Sequence, residues 1–313
     1  MSHHVSTGAG PTHGSGLPGA PVSLAGRSRP GETVIKAVLF VSAMLSIAIT
    51  FGIIAALIQP VIDFFGEVAV SEFFSFDEGS RFAVMPLISA TLVTTAIALV
   101  VAVPLGLGAA MYLSEYASPR ARKVLKPTVE LLAGVPSVVY GFFAVMFVTP
   151  TLLQDILGLE VSFLNALSAG LILGVMIIPT IASLSEDALS AVPQSLRQGS
   201  LAMGANRMQT TLRVVMPAAL SGIAAAIVLG LSRAIGETMI VTIAAGSQRN
   251  LSLDPREGMQ TMTGFMATTA GGENPVGSTS YNTLFAVGLT LFAITLVINI
   301  ISITLVRRFR QVY

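Results

Sequence analysis

Residues 82–114 read FAVMPLISATLVTTAIALVVAVPLGLGAAMYLS and hold no Asp, Glu, Lys or Arg. A helix needs about 20 apolar residues to cross a hydrocarbon layer about 30 Å thick, and this run is longer than that. It has no strand-like alternation, so a helix is the form that satisfies its backbone within lipid. Similar runs lie on both sides. Ala37 to Ile62 precedes it. Leu131 to Gln154, Val161 to Ser185, Val214 to about Gln248, and Asn274 to Val306 follow. The expected fold class is therefore all-α, a polytopic membrane protein with six spans. The first run is too long for a signal peptide, follows a long tail and ends on no A-x-A site, so it is read as a span.

Composition agrees. Hydrophobic residues make up 53% of the chain and charged residues 11%, against roughly 25% charged in soluble domains. A net charge of +1 gives no reason to expect nucleic acid as a partner. Cysteine is absent, and His3, His4 and His13 all lie near the start. Disulfides, thiolate chemistry and histidine chemistry in the folded body are excluded, and neither metal nor cofactor is expected. Residues 1–31 are rich in Gly, Pro, Ser and His and read as a disordered tail. That leaves 32–313 as the membrane domain.

Basic residues are unevenly placed. Arg27, Arg29 and Lys36, then Arg120, Arg122, Lys123 and Lys126, then Arg197, Arg207 and Arg213, then Arg307, Arg308 and Arg310 fall on one side of six spans. The other side holds only Arg81, Arg249 and Arg256, among acidic Asp63, Glu67, Glu72, Asp77, Glu78, Asp155 and Glu160. The positive-inside rule then puts both termini in the cytoplasm. Anionic-lipid contact by the 120–126 cluster is a side benefit of the same charges. Pro104, Gly134-Val135-Pro136 and Pro179 are read as ordinary kinks, and Gly106 and Gly108 as packing contacts. The outer 249–281 loop is either a solvated loop or a contact for a delivery protein.

The loop 185–217 is the most informative. Pro193 suits the start of a helix that runs through Leu196 and Leu201 to Met203, and Gly204 suits its stop. Asn206 can cap a second helix toward Val214, Val215 and Pro217. Two short helices with apolar stripes meet at a corner outside the membrane. Such a corner either docks on another protein or lies on the bilayer surface. The stretch Gln198-Gly199-Ser200, three residues, Gly204, nine residues, Val214, Val215, Met216-Pro217 resembles the cytoplasmic motif of ATP-binding cassette (ABC) importer permeases. That motif reads Glu-Ala-Ala, three residues, Gly, nine residues, Ile, one residue, Leu-Pro. The spacing matches; the opening triplet differs. The resemblance implies that Leu201, Ala202, Met203, Gly204, Ala205 and Asn206 form the coupling helix that meets an ATPase subunit. It also implies the type I six-helix importer permease fold.

The fifth run carries Arg233-Ala-Ile-Gly236-Glu237-Thr238-Met239, the only charges deep in an apolar run. Four apart, the pair is expected to share one helical face. A charge at mid-membrane costs about 2.5–3.5 kcal/mol on insertion scales. The pair is either a packing clasp within the bundle or the lining of a watery path. Arg suits oxyanions, and Glu opposes an anion unless it holds the Arg or is protonated. This segment resembles the fifth-span motif of phosphate-uptake ABC permeases. Leu132-Ala-Gly-Val-Pro136-Ser-Val-Val-Tyr140-Gly-Phe-Phe143 resembles their third-span motif, and Glu186-Asp187-Ala188-Leu189 with Val192-Pro193 and Arg197 resembles their loop. Met239 and Leu253-Asp254-Pro255 resemble the PstC-type subunit rather than its PstA-type partner.

What the resemblance implies is a permease subunit moving inorganic phosphate through a bacterial inner (plasma) membrane. Arg233, Glu237 and Thr238 would belong to the substrate pathway. The implied partners are a second homologous permease, two ATP-binding subunits, an extracytoplasmic phosphate-binding protein and membrane lipid. No GxxxxGK[ST] loop is present, so the chain is not expected to be an enzyme, and hydrolysis falls to the ATPase partner. Two alternatives stay open: a permease for another oxyanion or small polar solute, and an ion-coupled secondary transporter using Arg233 and Glu237 as a relay.

Overall fold

The computed structural model describes residues 30–77 and 79–308; the segment 1–29, which holds most of the expected tail, lies outside the described residues. The first helix, α1 (Pro30–Glu67), begins before residue 32, with Pro30 in the first turn where its missing N–H costs nothing. The chain divides into two compact units between Ile54 and Ala55. The described part of the first unit is the leading portion of α1. Its large apolar side chains from Val34 to Ile53 are exposed, and an all-round apolar helix is the exterior of a span.

The second unit holds the rest of the chain. After the last turns of α1 come α2 (Val70–Phe73) and α3 (Met85–Met111), which continues as a π-helical turn to Tyr116. Next are α4 (Pro119–Ala133), α5 (Ser137–Phe143) with its π-helical extension Ala144–Ile156, and α6 (Ala166–Ser190). The short α7 (Gln194–Ala202) and α8 (Arg207–Thr210) lead through a π-turn to α9 (Met216–Ala218) and α10 (Leu220–Ile235). The chain closes with α11 (Met239–Ala244), α12 (Met262–Ala270) and α13 (Thr279–Arg308). No strand occurs among the described residues. Among the described residues, five helices are long and apolar enough to span a membrane. A sixth span arises if Arg207–Ala218 and Leu220–Ile235, bent by 72°, are taken as one.

At the centre α6 packs against α3. A Cβ added at Gly170 would lie 2.8 Å from Ile97, one at Gly174 2.8 Å from the Ala98 carbonyl, and one at Gly106 2.9 Å from Ile181. The numbers rise together, so the two helices run parallel. The small residues let the backbones approach where lipid supplies no hydrophobic drive. Gly106 therefore packs as expected, whereas Gly108 meets nothing within 4 Å.

Pro104 and Pro179 sit inside continuous helices, but Gly134-Val135-Pro136 is a full break. Leu131 to Ala133 thus belong to α4, and the third span opens at Ser137. The 249–281 loop is not simply solvated. Leu167, Ser162 and Ala166 donate their amides to the carbonyls of Pro255, Arg256 and Glu257, which cover the start of α6. Met262 and Phe265 of α12 are buried against Phe64, Phe73 and Leu87. The Met262 amide donates to Thr91 Oγ1 at 3.0 Å.

Candidate functional site

The corner after α6 has the geometry its sequence requires. α7 ends as Met203 and Gly204 donate to the carbonyls of Gly199 and Leu201, and Ala205 donates to that of Ser200. Gly204 has φ +88°, a conformation that glycine adopts without Cβ strain. Around it is open space: an added Cβ meets nothing within 4 Å. Asn206 Oδ1 accepts from the Gln209 amide at 2.8 Å, and Gln209 Oε1 accepts from the Asn206 amide at 3.0 Å. This reciprocal pair starts α8. Leu201, Ala202, Met203, Gly204 and Asn206 are exposed, with Ala205 half-buried between them. Met203, at 89% exposure, is the apex.

Beneath the apex the corner is anchored by charge. Arg197, only 9% exposed, reaches back from α7. Its Nε and Nη2 donate to Glu115 Oε1 at 3.2 and 2.9 Å, Nη2 donates to the Leu189 carbonyl at 2.7 Å, and Nη1 donates to the Val192 carbonyl. One guanidinium thus ties α7 to the end of α6 and to the π-turn after α3, a task suited to its five-donor fork. A second knot joins α4 to α6. The fully buried Glu186 pairs with Arg122 and Lys126, Ser190 Oγ donates to it at 2.9 Å, and Lys126 also reaches Asp187 at 2.8 Å. Hydrogen bonds from Lys126 to Asp187 and Glu186 raise the pKa of the lysine above its ordinary value. The 120–126 cluster read as a topology signal is thus also structural. Glu115, Arg122 and Lys126 were missed as partners of the loop because nothing local announces a pairing across tens of residues.

The fifth span differs most from expectation. Arg233 and Glu237 do not share a helical face, because α10 ends at Ile235 and Gly236 caps it. Among the described residues no ion pair joins them. Arg233 is exposed, and its Nη1 donates to Thr180 Oγ1 of α6 at 3.0 Å. Glu237 Oε1 accepts from the Met239 and Ile240 amides at 3.1 and 3.4 Å, at the start of α11. A carboxylate there offsets unpaired helix donors and their dipole. Thr263 Oγ1 of α12 donates to the Glu237 carbonyl at 2.6 Å. Among the described residues the clasp is absent: the Glu serves backbone amides, and the Arg has no carboxylate within ion-pair distance.

Three hydroxyls of the third and fifth spans bond to backbone. Thr238 donates to the Gly236 carbonyl at 3.4 Å, Thr242 to that of Thr238 at 2.6 Å and Tyr140 to that of Leu132 at 2.9 Å. Thr180, not singled out from sequence, is the side chain that orients Arg233.

The family described as "Binding-protein-dependent transport system inner membrane component" matches residues 102–311. The "Probable ABC transporter permease protein YqgH" of Bacillus subtilis is 37% identical over 231 residues, covering 74% of this chain and 72% of that protein. The "Phosphate transport system permease protein PstC 1" of Mycobacterium tuberculosis is 36% identical over 265 residues, 78% of each chain. Among solved structures, a chain of a bacterial ABC transporter involved in alginate import has a TM-score of 0.64 at 16% identity. The match covers 90% of this chain and all (100%) of that one. A chain of the MetNI methionine ABC transporter in inward-facing conformations has a TM-score of 0.54 at 22% identity, covering 73% and 94%. These likenesses give the ABC importer permease fold. The chain belongs to the binding-protein-dependent transport system inner membrane component family.

Proposed function

We propose that this chain is the PstC-type permease subunit of an ATP-driven importer of inorganic phosphate. The observation that carries the substrate class is Arg233: a permanent cation within an apolar span, oriented by Thr180 and without a carboxylate partner among the described residues. A planar guanidinium with free donors suits an oxyanion, and the relatives named as phosphate permeases support phosphate in particular. Glu237 shapes the break by capping α11, and Thr238 lies within it. The chain lacks a nucleotide-binding loop, so the energy enters through the Leu201–Asn206 corner from a partner ATPase. Rigid attachment of that corner through Arg197 supports this reading. The full assembly holds a second permease, two ATPase subunits and an external phosphate-binding protein, with the loop 185–217 and both termini in the cytoplasm of a bacterial inner membrane.

The test is phosphate uptake by cells relying on this complex. Uptake should stop with vanadate and persist with an ionophore; the reverse pattern points to an ion-coupled secondary transporter. Because the chain has no cysteine, a single Met203→Cys variant can be labelled cleanly. Labelling from the cytoplasmic side alone is expected, and labelling from outside rejects the orientation.

A further inference from the structure

The end of the bundle opposite the corner, the outer face in the orientation proposed above, has three basic residues. They are treated unequally. Arg256 is neutralised by Asp254, with Nε at 2.9 and 3.0 Å and Nη2 at 2.6 Å from its carboxylate oxygens. Arg81 and Arg249 come together, and neither has an ion-pair partner among the described residues.

The two line one cavity of about 160 Å³ with Phe265, Thr269, Ser280 and Thr283 among its walls. Arg249 is held without a carboxylate. Its Cζ sits 4.8 Å from the Phe265 ring centroid, and Nη1 donates to the Ser80 carbonyl at 3.3 Å and to the Arg81 carbonyl. Burial first, and the Arg81 charge second, lower its pKa from the ordinary value. Two guanidiniums at one cavity repel each other unless an anion joins them. A tetrahedral oxyanion accepts from both forks at once. The Thr283 hydroxyl already donates to the Thr279 carbonyl at 2.8 Å, so its oxygen is left to accept from a protonated anion oxygen.

We propose that Arg81 and Arg249 form an oxyanion-holding site on the outer face, which takes inorganic phosphate before it enters the span-five pathway. The choice of phosphate rests on the functional reading above; two guanidiniums at one polar cavity, with no carboxylate partner among the described residues, call for an oxyanion in any case.

The test uses the full chain purified in detergent, with inorganic phosphate as the probe. Phenylglyoxal modification mapped by peptide mass spectrometry should be slowed at Arg81 by about fivefold or more when phosphate is present. Chloride at equal ionic strength should not slow it, and Arg256 should gain no protection from phosphate. In equilibrium dialysis, Arg81→Gln should weaken phosphate binding by about tenfold or more. Arg249→Gln should do the same; if it does not fold, Arg249→Lys, which keeps the charge but loses the fork, should weaken binding less than Arg81→Gln. Absence of protection at Arg81, or unchanged phosphate binding in Arg81→Gln, overturns the site. So does unchanged phosphate binding accompanied by loss of the external binding protein, since the arginines would then be reading a protein carboxylate. Persistent ATP-driven phosphate uptake alongside any of these failures rejects this site alone, whereas loss of phosphate selectivity in the unaltered complex rejects the underlying reading.

Discussion

Charged residues are used in opposite ways at the corner and at the break in the fifth span. At the corner, Arg197 spends its guanidinium on Glu115 and two carbonyls, and Glu186 is enclosed by Arg122, Lys126 and Ser190. At the break, Arg233 has one hydroxyl partner and Glu237 turns away to cap a helix. Saturated charge makes a stiff joint, because moving either partner leaves the other buried and unpaired. Unsaturated charge is a poor joint but leaves donors for something that arrives later. On the function proposed above, one region passes on displacement and the other receives an anion.

The largest test of that contrast short of Arg233 itself is Arg197→Ala. If the pair is a joint, phosphate uptake should fall about tenfold or more while ATP hydrolysis by the assembled complex continues. Arg197→Lys should recover only part, since an ammonium cannot serve Glu115 and two carbonyls as a fork does. Uptake that stays coupled in Arg197→Ala would break the contrast. Gly204→Val comes next. The obstacle there is backbone conformation alone, because the space around Gly204 is open. A β-branched residue at positive φ costs about 1–2 kcal/mol and forces the corner's backbone to shift, so co-purification with the ATPase should drop, whereas Gly204→Asn should retain most of it.

Glu237→Gln sharpens the other half. The amide oxygen of Gln can still accept from the Met239 and Ile240 amides, so uptake should stay within about threefold of normal. A proton-relay role for Glu237 predicts near-complete loss in that variant instead.

The smallest effect concerns pH. Lys126 has a folded-state pKa above its ordinary 10.5, so its contribution is complete below that value and is lost only as pH rises through the higher folded value. Thermal unfolding of Lys126→Met and the unaltered chain should therefore differ by a constant amount between about pH 7 and pH 9. A difference that shrinks within that window would mean the knot does not depend on the charged lysine.

Much of this was legible in the sequence, for identifiable reasons. Spans are long apolar runs, and the corner follows from Pro193, Gly204 and Asn206, each of which acts locally. The joint was not legible, because Arg197 with Glu115 and Glu186 with Arg122 are contacts between distant segments. The fifth span was misread because four-residue spacing between opposite charges is itself a helical pattern. Its break had a signal all the same: Gly236 as a helix stop, followed by an acidic residue just ahead of a new helix. Gly134-Val135-Pro136 was equally visible and taken for a kink, since Pro and Gly are common in membrane helices and only packing distinguishes a bend from a break.

The most direct measurement is phosphate moved per ATP hydrolysed in proteoliposomes that contain the complete complex with Arg233→Gln. Assembly and ATP hydrolysis at close to the unaltered rate, with phosphate influx at background, is the predicted result. Influx per ATP equal to that of the unaltered complex would contradict it and leave Arg233 as a structural residue only.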